Sequence, residues 1–79
     1  MKKFFEKYVT RRIHERLLVS GLKYKELWKY KEGEYFPKPN TFYKIVFVVA
    51  VESNLDINDV LYDAVLLITG EQDRHDKTI

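Results

Sequence analysis

Residues 40–54, NTFYKIVFVVAVESN, limit what this chain can become more than any other stretch. Their isoleucine and valine content favours a strand, because β-branched side chains fit a pleated, half-buried surface. The spacing argues otherwise. Phe42, Ile45, Val46 and Val49 recur at i, i+3, i+4 and i+7, and Asn40 or Thr41 offers an N-cap. The run also continues for roughly a dozen residues without a turn signal, long for a strand, and no partner strand is evident. The pattern predicts a helix. Phe47, Val48 and Val51 fall off its main stripe, so this helix is apolar nearly all round and must be covered on more than one side.

The rest of the chain also reads as helices. Before the apolar stretch, EGEYFPKPN holds Gly33, Pro37 and Pro39 and is a loop. KKFFEKYV groups Phe4, Phe5, Tyr8 and Val9 as a short amphipathic helix. Thr10 is placed to cap a second helix, RRIHERLLV, which buries Ile13 and Leu17 and ends at Ser20-Gly21. A third helix over 22–32 follows at once. It sets Tyr24, Lys25, Trp28 and Lys29 on one face and Leu22, Leu27 and Tyr30 on another. A fifth segment, LDINDVLYDAVLLITG, opens on an acidic cap, Asp56 and Asp59. It carries the stripe Ile57, Val60, Leu61, Ala64, Val65 and Ile68, and is expected to stop at Gly70. The expected organisation is one all-α domain of four to five helices over 1–70, with a polar, frayed tail over 71–79.

Composition excludes several function classes. Seventy-nine residues enclose one modest core. There is no cysteine, hence no disulfide, thiolate metal site or cysteine nucleophile. His14 and His75 lack metal-ligand spacing, Ser20 and Ser53 lack a nucleophile-elbow context, and three glycines make no phosphate-binding loop. The expectation is no enzyme, no metal and no cofactor. No apolar run approaches the ~20 residues of a membrane helix, and MKKFFEKYV has no apolar signal core, so a cytoplasmic protein is expected. The net charge of +2 is unevenly spread. Residues 1–38 hold eleven Lys/Arg against five acids (+6), and residues 39–79 hold three against seven (−4). A basic half can supply the electrostatic footprint of nucleic-acid binding, although lysine-rich helices are also simply solvated.

Two helices joined by a tight glycine turn form a helix-turn-helix arrangement. Across roughly residues 12–62 the chain resembles the lambda-repressor/Cro-like family of DNA-binding domains. The resemblance rests on GLKYKELWKYKEGEYFP, FYKIV and NLDINDVL. The family's turn glycine matches Gly21, its next apolar residue Leu22, and the buried positions of its recognition helix Leu27 and Tyr30. Its glycine after that helix matches Gly33, and its loop proline Pro37. Four features depart from the pattern. Leu17 stands where a small residue is usual, Arg16 where an apolar one is, and Lys31 where a glutamate is common. The fourth helix is about one turn longer. Glu6 offers Lys31 a reversed partner.

The resemblance implies that Tyr24, Lys25, Trp28 and Lys29 enter the major groove, with Lys23 near phosphate. Their chemistry agrees in part: lysine donates to guanine O6 and N7, and rings pack on thymine methyls. Arg11, Arg12 and Lys38 flank the helix pair and would neutralise phosphates. Trp28 has an alternative place, closing the core against helix two or against Tyr35 and Phe36. Glu26 and Glu32 dilute the positive field.

The leading expectation is a sequence-specific, repressor-type DNA-binding regulator of the kind found in phage, plasmid and other mobile elements. It would act on double-stranded DNA as a homodimer joined through Phe47, Val48, Val51, Leu66 and Leu67. The alternative is a small helix-turn-helix protein that binds another protein, as an antitoxin, anti-repressor or inhibitor of a nucleic-acid enzyme.

Overall fold

The computed structural model describes the backbone of residues 1–76 and the side chains of residues 1–70. These residues form five helices: α1 (Lys2–Tyr8), α2 (Arg11–Val19), α3 (Tyr24–Glu32), α4 (Pro39–Ser53) and α5 (Ile57–Asp76). No strand occurs among them, so the spacing of the 40–54 stretch prevails over its β-branched composition. The Cα radius of gyration is 12.4 Å, against roughly 27 Å for an unfolded chain of this length. The fold is a compact all-α unit.

α4 is the central element, packed against α2 and α5, while α1 bridges α3 and α5. Ile45, Val46, Val49 and Ala50 of α4 are buried and meet Phe4, Phe5, Ile13, Leu17, Leu27, Val60 and Ala64 in one core. Leu17, where the family resemblance calls for a small residue, is fully buried there. Covering α4 on two sides still leaves an arc open. Phe47 and Val51 are exposed, whereas Val48 packs partly against the core.

Three helices end in the same way. At α2, Gly21 N–H donates to Leu18 O and Leu22 N–H to Leu17 O. Gly33 and Glu34 repeat this at α3, and Asn54 and Leu55 at α4. All three turn residues have positive φ: 109° at Gly21, 82° at Gly33 and 55° at Asn54. This is the left-handed cap that glycine, and less often asparagine, adopts with little steric cost. The turn after α2 also buries Leu22 beside Leu17, and so sets where α3 begins.

Several boundaries differ from the sequence expectation. α3 starts at Tyr24, with Leu22 buried in the preceding turn. α4 starts at Pro39 with Lys38 as N-cap, rather than being capped by Asn40 or Thr41. Proline suits a first helical position because its φ is already helical and its missing N–H would have no partner there. α5 runs through Gly70 to Asp76, and Gly70 is not among the glycines with positive φ. A glycine ends a helix only where the chain turns left-handed, and here it does not. The fraying expected for the tail concerns, over 77–79, a stretch outside the described residues. Ile57 and Val65, expected in the α5 stripe, are 37% and 51% exposed. The buried arc of α5 is narrow and centred on Val60 and Ala64.

On the other flank of that arc, Asp63 accepts from both Lys7 Nζ and the Tyr8 hydroxyl, fastening α1 to α5. These hydrogen bonds, from Lys7 first and then Tyr8, hold the Asp63 carboxyl below its ordinary range. The hydrogen bond to Asp63 raises Lys7, and burial followed by the same carboxylate raises Tyr8.

Candidate nucleic-acid interface

The candidate site is built around the outer face of α3. That helix is positioned from behind by Leu22 and Leu27, which are buried, and by Tyr30, which packs partly against the core. Partial burial, followed by the nearby Glu26, raises the Tyr30 phenol above its ordinary range. The residues one helical step round, Tyr24, Lys25, Trp28 and Lys29, line a single shallow groove of ≈ 310 Å³. Tyr24 is 63% exposed and Trp28 47%. The Trp28 ring therefore does not close the core. It faces outward beside two lysines, as the helical spacing of 24, 25, 28 and 29 implies.

A second groove, ≈ 630 Å³, runs between this face and the first two helices. Phe5, Val9 and Leu18 form its apolar lining, and Glu6, Arg11, His14, Glu15 and Lys31 its polar rim. Tyr24 and Trp28 belong to both grooves. The rings of His14 and Tyr24 meet edge-on with centroids 5.8 Å apart, so the first half of α2 lies against the start of α3. Glu6 and Lys31 share this groove, but no ion pair joins them among the described residues.

The proposed phosphate contacts fall into different situations. Thr10 caps α2 through its hydroxyl, which accepts from Ile13 N–H, and this places Arg11 and Arg12 in the first turn. The Arg11 side chain is 96% exposed and only 3.8 Å from Glu15, a loose pair that leaves it available. Arg12 is committed elsewhere: its guanidinium lies 3.5 Å from Glu52 on α4. Arg16, at the position the resemblance makes apolar, meets the same carboxylate at 3.1 Å. Lys23 and Lys38 are exposed N-cap residues of α3 and α4, neither of which has a side-chain cap. First-turn amides without an internal acceptor favour an external anion, and a lysine stands beside each of these ends, although Glu26 sits in the first turn of α3 and Pro39 removes one amide from α4.

Two loop aromatics, Tyr35 and Phe36, follow this helix. Lys29 Nζ lies 4.9 Å from the centroid of the Tyr35 ring, which joins the α3–α4 loop to the site. Phe36, next in sequence, is 56% exposed, with its ring 5.6 Å from that of Phe42. The sequence points to both rings, but as an alternative cover for Trp28, which is exposed instead.

Of the five candidate interface residues, Phe47, Val51 and Leu66 are exposed, whereas Val48 and Leu67 pack partly against the core. Phe47, Val48 and Val51 line a groove with Arg16, Val19 and Glu52 at the α2–α4 junction. Among the described residues no helix is long and apolar enough to cross a membrane. No family model, curated protein or solved structure matches this chain.

Proposed function

We propose that this chain is a sequence-specific DNA-binding regulator of the helix-turn-helix type, acting in the cytoplasm and presenting α3 to the major groove. The observation that carries the reading is the shared outer groove of Tyr24, Lys25, Trp28 and Lys29, held on a helix whose opposite face is locked into the core. Lysine can donate to guanine, and the rings can pack on thymine methyls or sugars. Arg11, Lys23 and Lys38 stand at the starts of α2, α3 and α4. Phosphate contacts from such positions set register without reading sequence. Arg12 contributes less, because Glu52 competes for it. The earlier likeness to lambda-repressor/Cro-like domains supports the same docking.

The regulator works as a symmetric homodimer through α4 and α5, with Phe47, Val51 and Leu66 supplying the apolar contact. Paired half-sites about one DNA turn apart require such a fixed spacing.

A second reading, binding to another protein, draws on the aromatic groove between α1, α2 and α3. Salt separates the two. Duplex binding through several phosphates weakens steeply as salt rises because counterions are released, whereas an apolar protein interface responds little. Selection of bound sequences from random duplex DNA, followed by a salt titration of the winner, tests the proposal. An enriched motif with a steep slope supports it, and no enrichment contradicts it.

A further inference from the structure

Four exposed rings lie along the α3 face and the loop that follows it. Tyr24, Trp28, Tyr35 and Phe36 are 63%, 47%, 59% and 56% exposed. Three of them, Tyr24, Trp28 and Tyr35, are linked through the lysines between them. Tyr24 and Trp28 share one groove with Lys25 and Lys29, and Lys29 Nζ then reaches the Tyr35 ring at 4.9 Å. Phe36 follows directly in sequence, with its ring held beside Phe42 at 5.6 Å. Isolated exposed apolar residues are ordinary, but a connected exposed strip marks an interaction surface.

The chemistry of the strip goes beyond the reading of a duplex. Base edges in the major groove are read by donors and acceptors and by apolar contact with the thymine methyl. Phe36 sits in the loop rather than on the inserted helix. What aromatic rings offer is a face for stacking. In a duplex both faces of each base are already stacked on neighbours. In a single strand they are available, and stacking on them tolerates any sequence because every base has a π-face. Lysines interleaved with rings supply the backbone attraction such sites need, and the groove of Tyr24, Lys25, Trp28 and Lys29 contains no carboxylate. Residues 1–38 carry a formal +6; Lys7, Arg12 and Arg16 are paired with Asp63 and Glu52 of the other half, leaving a positive balance that complements a polyanion.

We propose that this lysine–aromatic strip binds the unpaired bases of single-stranded DNA, with Trp28, Tyr35 and Phe36 as stacking platforms and Lys25 and Lys29 along the backbone. The inference rests on the reading of α3 as a DNA-binding helix and extends that site into the loop. It gives the regulator a means of holding melted DNA.

Trp28 is the only tryptophan of the chain, so its emission reports directly on this strip. The full chain is titrated with oligo(dT), with oligo(rU) and with a duplex selected from random sequence. Oligo(dT) is expected to quench Trp28 saturably. Tyr35→Ala, at an exposed position, and Phe36→Leu, which keeps an apolar contact for Phe42 but removes the π-face, are each expected to weaken that binding about tenfold. Both variants should retain the native circular dichroism, and Phe36→Leu, which lies outside the α3 groove, should bind the selected duplex as before. Silence towards oligo(dT), or quenching untouched by both loop variants, overturns the inference. Tighter binding of oligo(rU) than oligo(dT) overturns the choice of DNA. Loss of the stacking response with duplex binding intact defeats this inference alone. Absence of binding to both forms of DNA defeats the underlying reading as well.

Discussion

The guanidinium Nε of Arg16 on α2 lies 3.1 Å from the Glu52 carboxylate on α4, and Arg12 approaches the same carboxylate at 3.5 Å. One acid on the central helix thus holds two of the basic residues of α2. Glu52 ties α2 to α4 at their rim and withdraws positive charge from the basic half. Removing its charge should release Arg12, the phosphate candidate of the two, while Arg16 stays beside Phe47 and Val51. Glu52→Gln is expected to strengthen binding to any duplex and steepen its salt dependence by about one unit. It should also lower fold stability by about 1 kcal/mol, since the pair is partly exposed. Salt titrations and urea unfolding check the two effects. Unchanged salt dependence would show that Arg12 stays away from DNA even when released.

The junction of α1 with α5 should respond to pH through Asp63. Its carboxyl is held below the ordinary range by Lys7 and Tyr8, so it binds a proton less readily in the folded chain than in the unfolded one. Its contribution is therefore complete above the ordinary carboxylate pKa and fades as pH falls through the lowered folded value. Lys7 and Tyr8 are raised, so theirs is present below their ordinary values and lost as pH rises beyond them. Asp63→Asn is expected to flatten both the acidic and the alkaline arms of a plot of urea midpoint against pH. A variant with the same arms as the parent would contradict the role given to this cluster.

Gly21 should be intolerant of a side chain for conformational reasons alone. A Cβ there would meet nothing within 4 Å, yet φ is 109°. Gly21→Ala is expected to destabilise by about 1–2 kcal/mol through backbone strain. A neutral change in thermal unfolding would mean the α2–α3 turn adopts another conformation.

These cases show what was legible in the sequence. Local signals were plain: Thr10 as a cap, Gly21 and Gly33 as helix ends, and the Ile45–Val46–Val49 stripe all depend on neighbours within one or two turns. The outer face of α3 was equally readable, because helical periodicity alone puts Tyr24, Lys25, Trp28 and Lys29 together. The contacts of Glu52 with Arg12 and Arg16, and of Asp63 with Lys7 and Tyr8, were not. They join residues far apart in the chain and depend on how helices pack. The start of α4 falls before its polar cap candidates because Pro39, a loop signal in the sequence, is also a favoured first helical residue. Val48 lies off the main stripe of α4 and Leu67 beyond the core contacts expected of α5, but a central helix and its partner bury more than one stripe.

The proposed dimer turns on Leu66, which is 52% exposed on α5. Leu66→Glu should leave the monomer folded and shift sedimentation at micromolar concentration from dimer to monomer. Duplex affinity should fall with it. A parent protein already monomeric there, with a fully active variant, would remove the dimer.

The most direct test is the joint replacement of Lys25 and Lys29 by alanine, read as affinity for a duplex selected from random sequence. Neither lysine is buried, so the helical circular dichroism and urea midpoint should stay those of the parent. Each lost base contact is expected to cost ~1–3 kcal/mol and to relax sequence preference at the contacted positions. Undiminished affinity and preference in the folded double variant would contradict the assignment of α3 to the major groove.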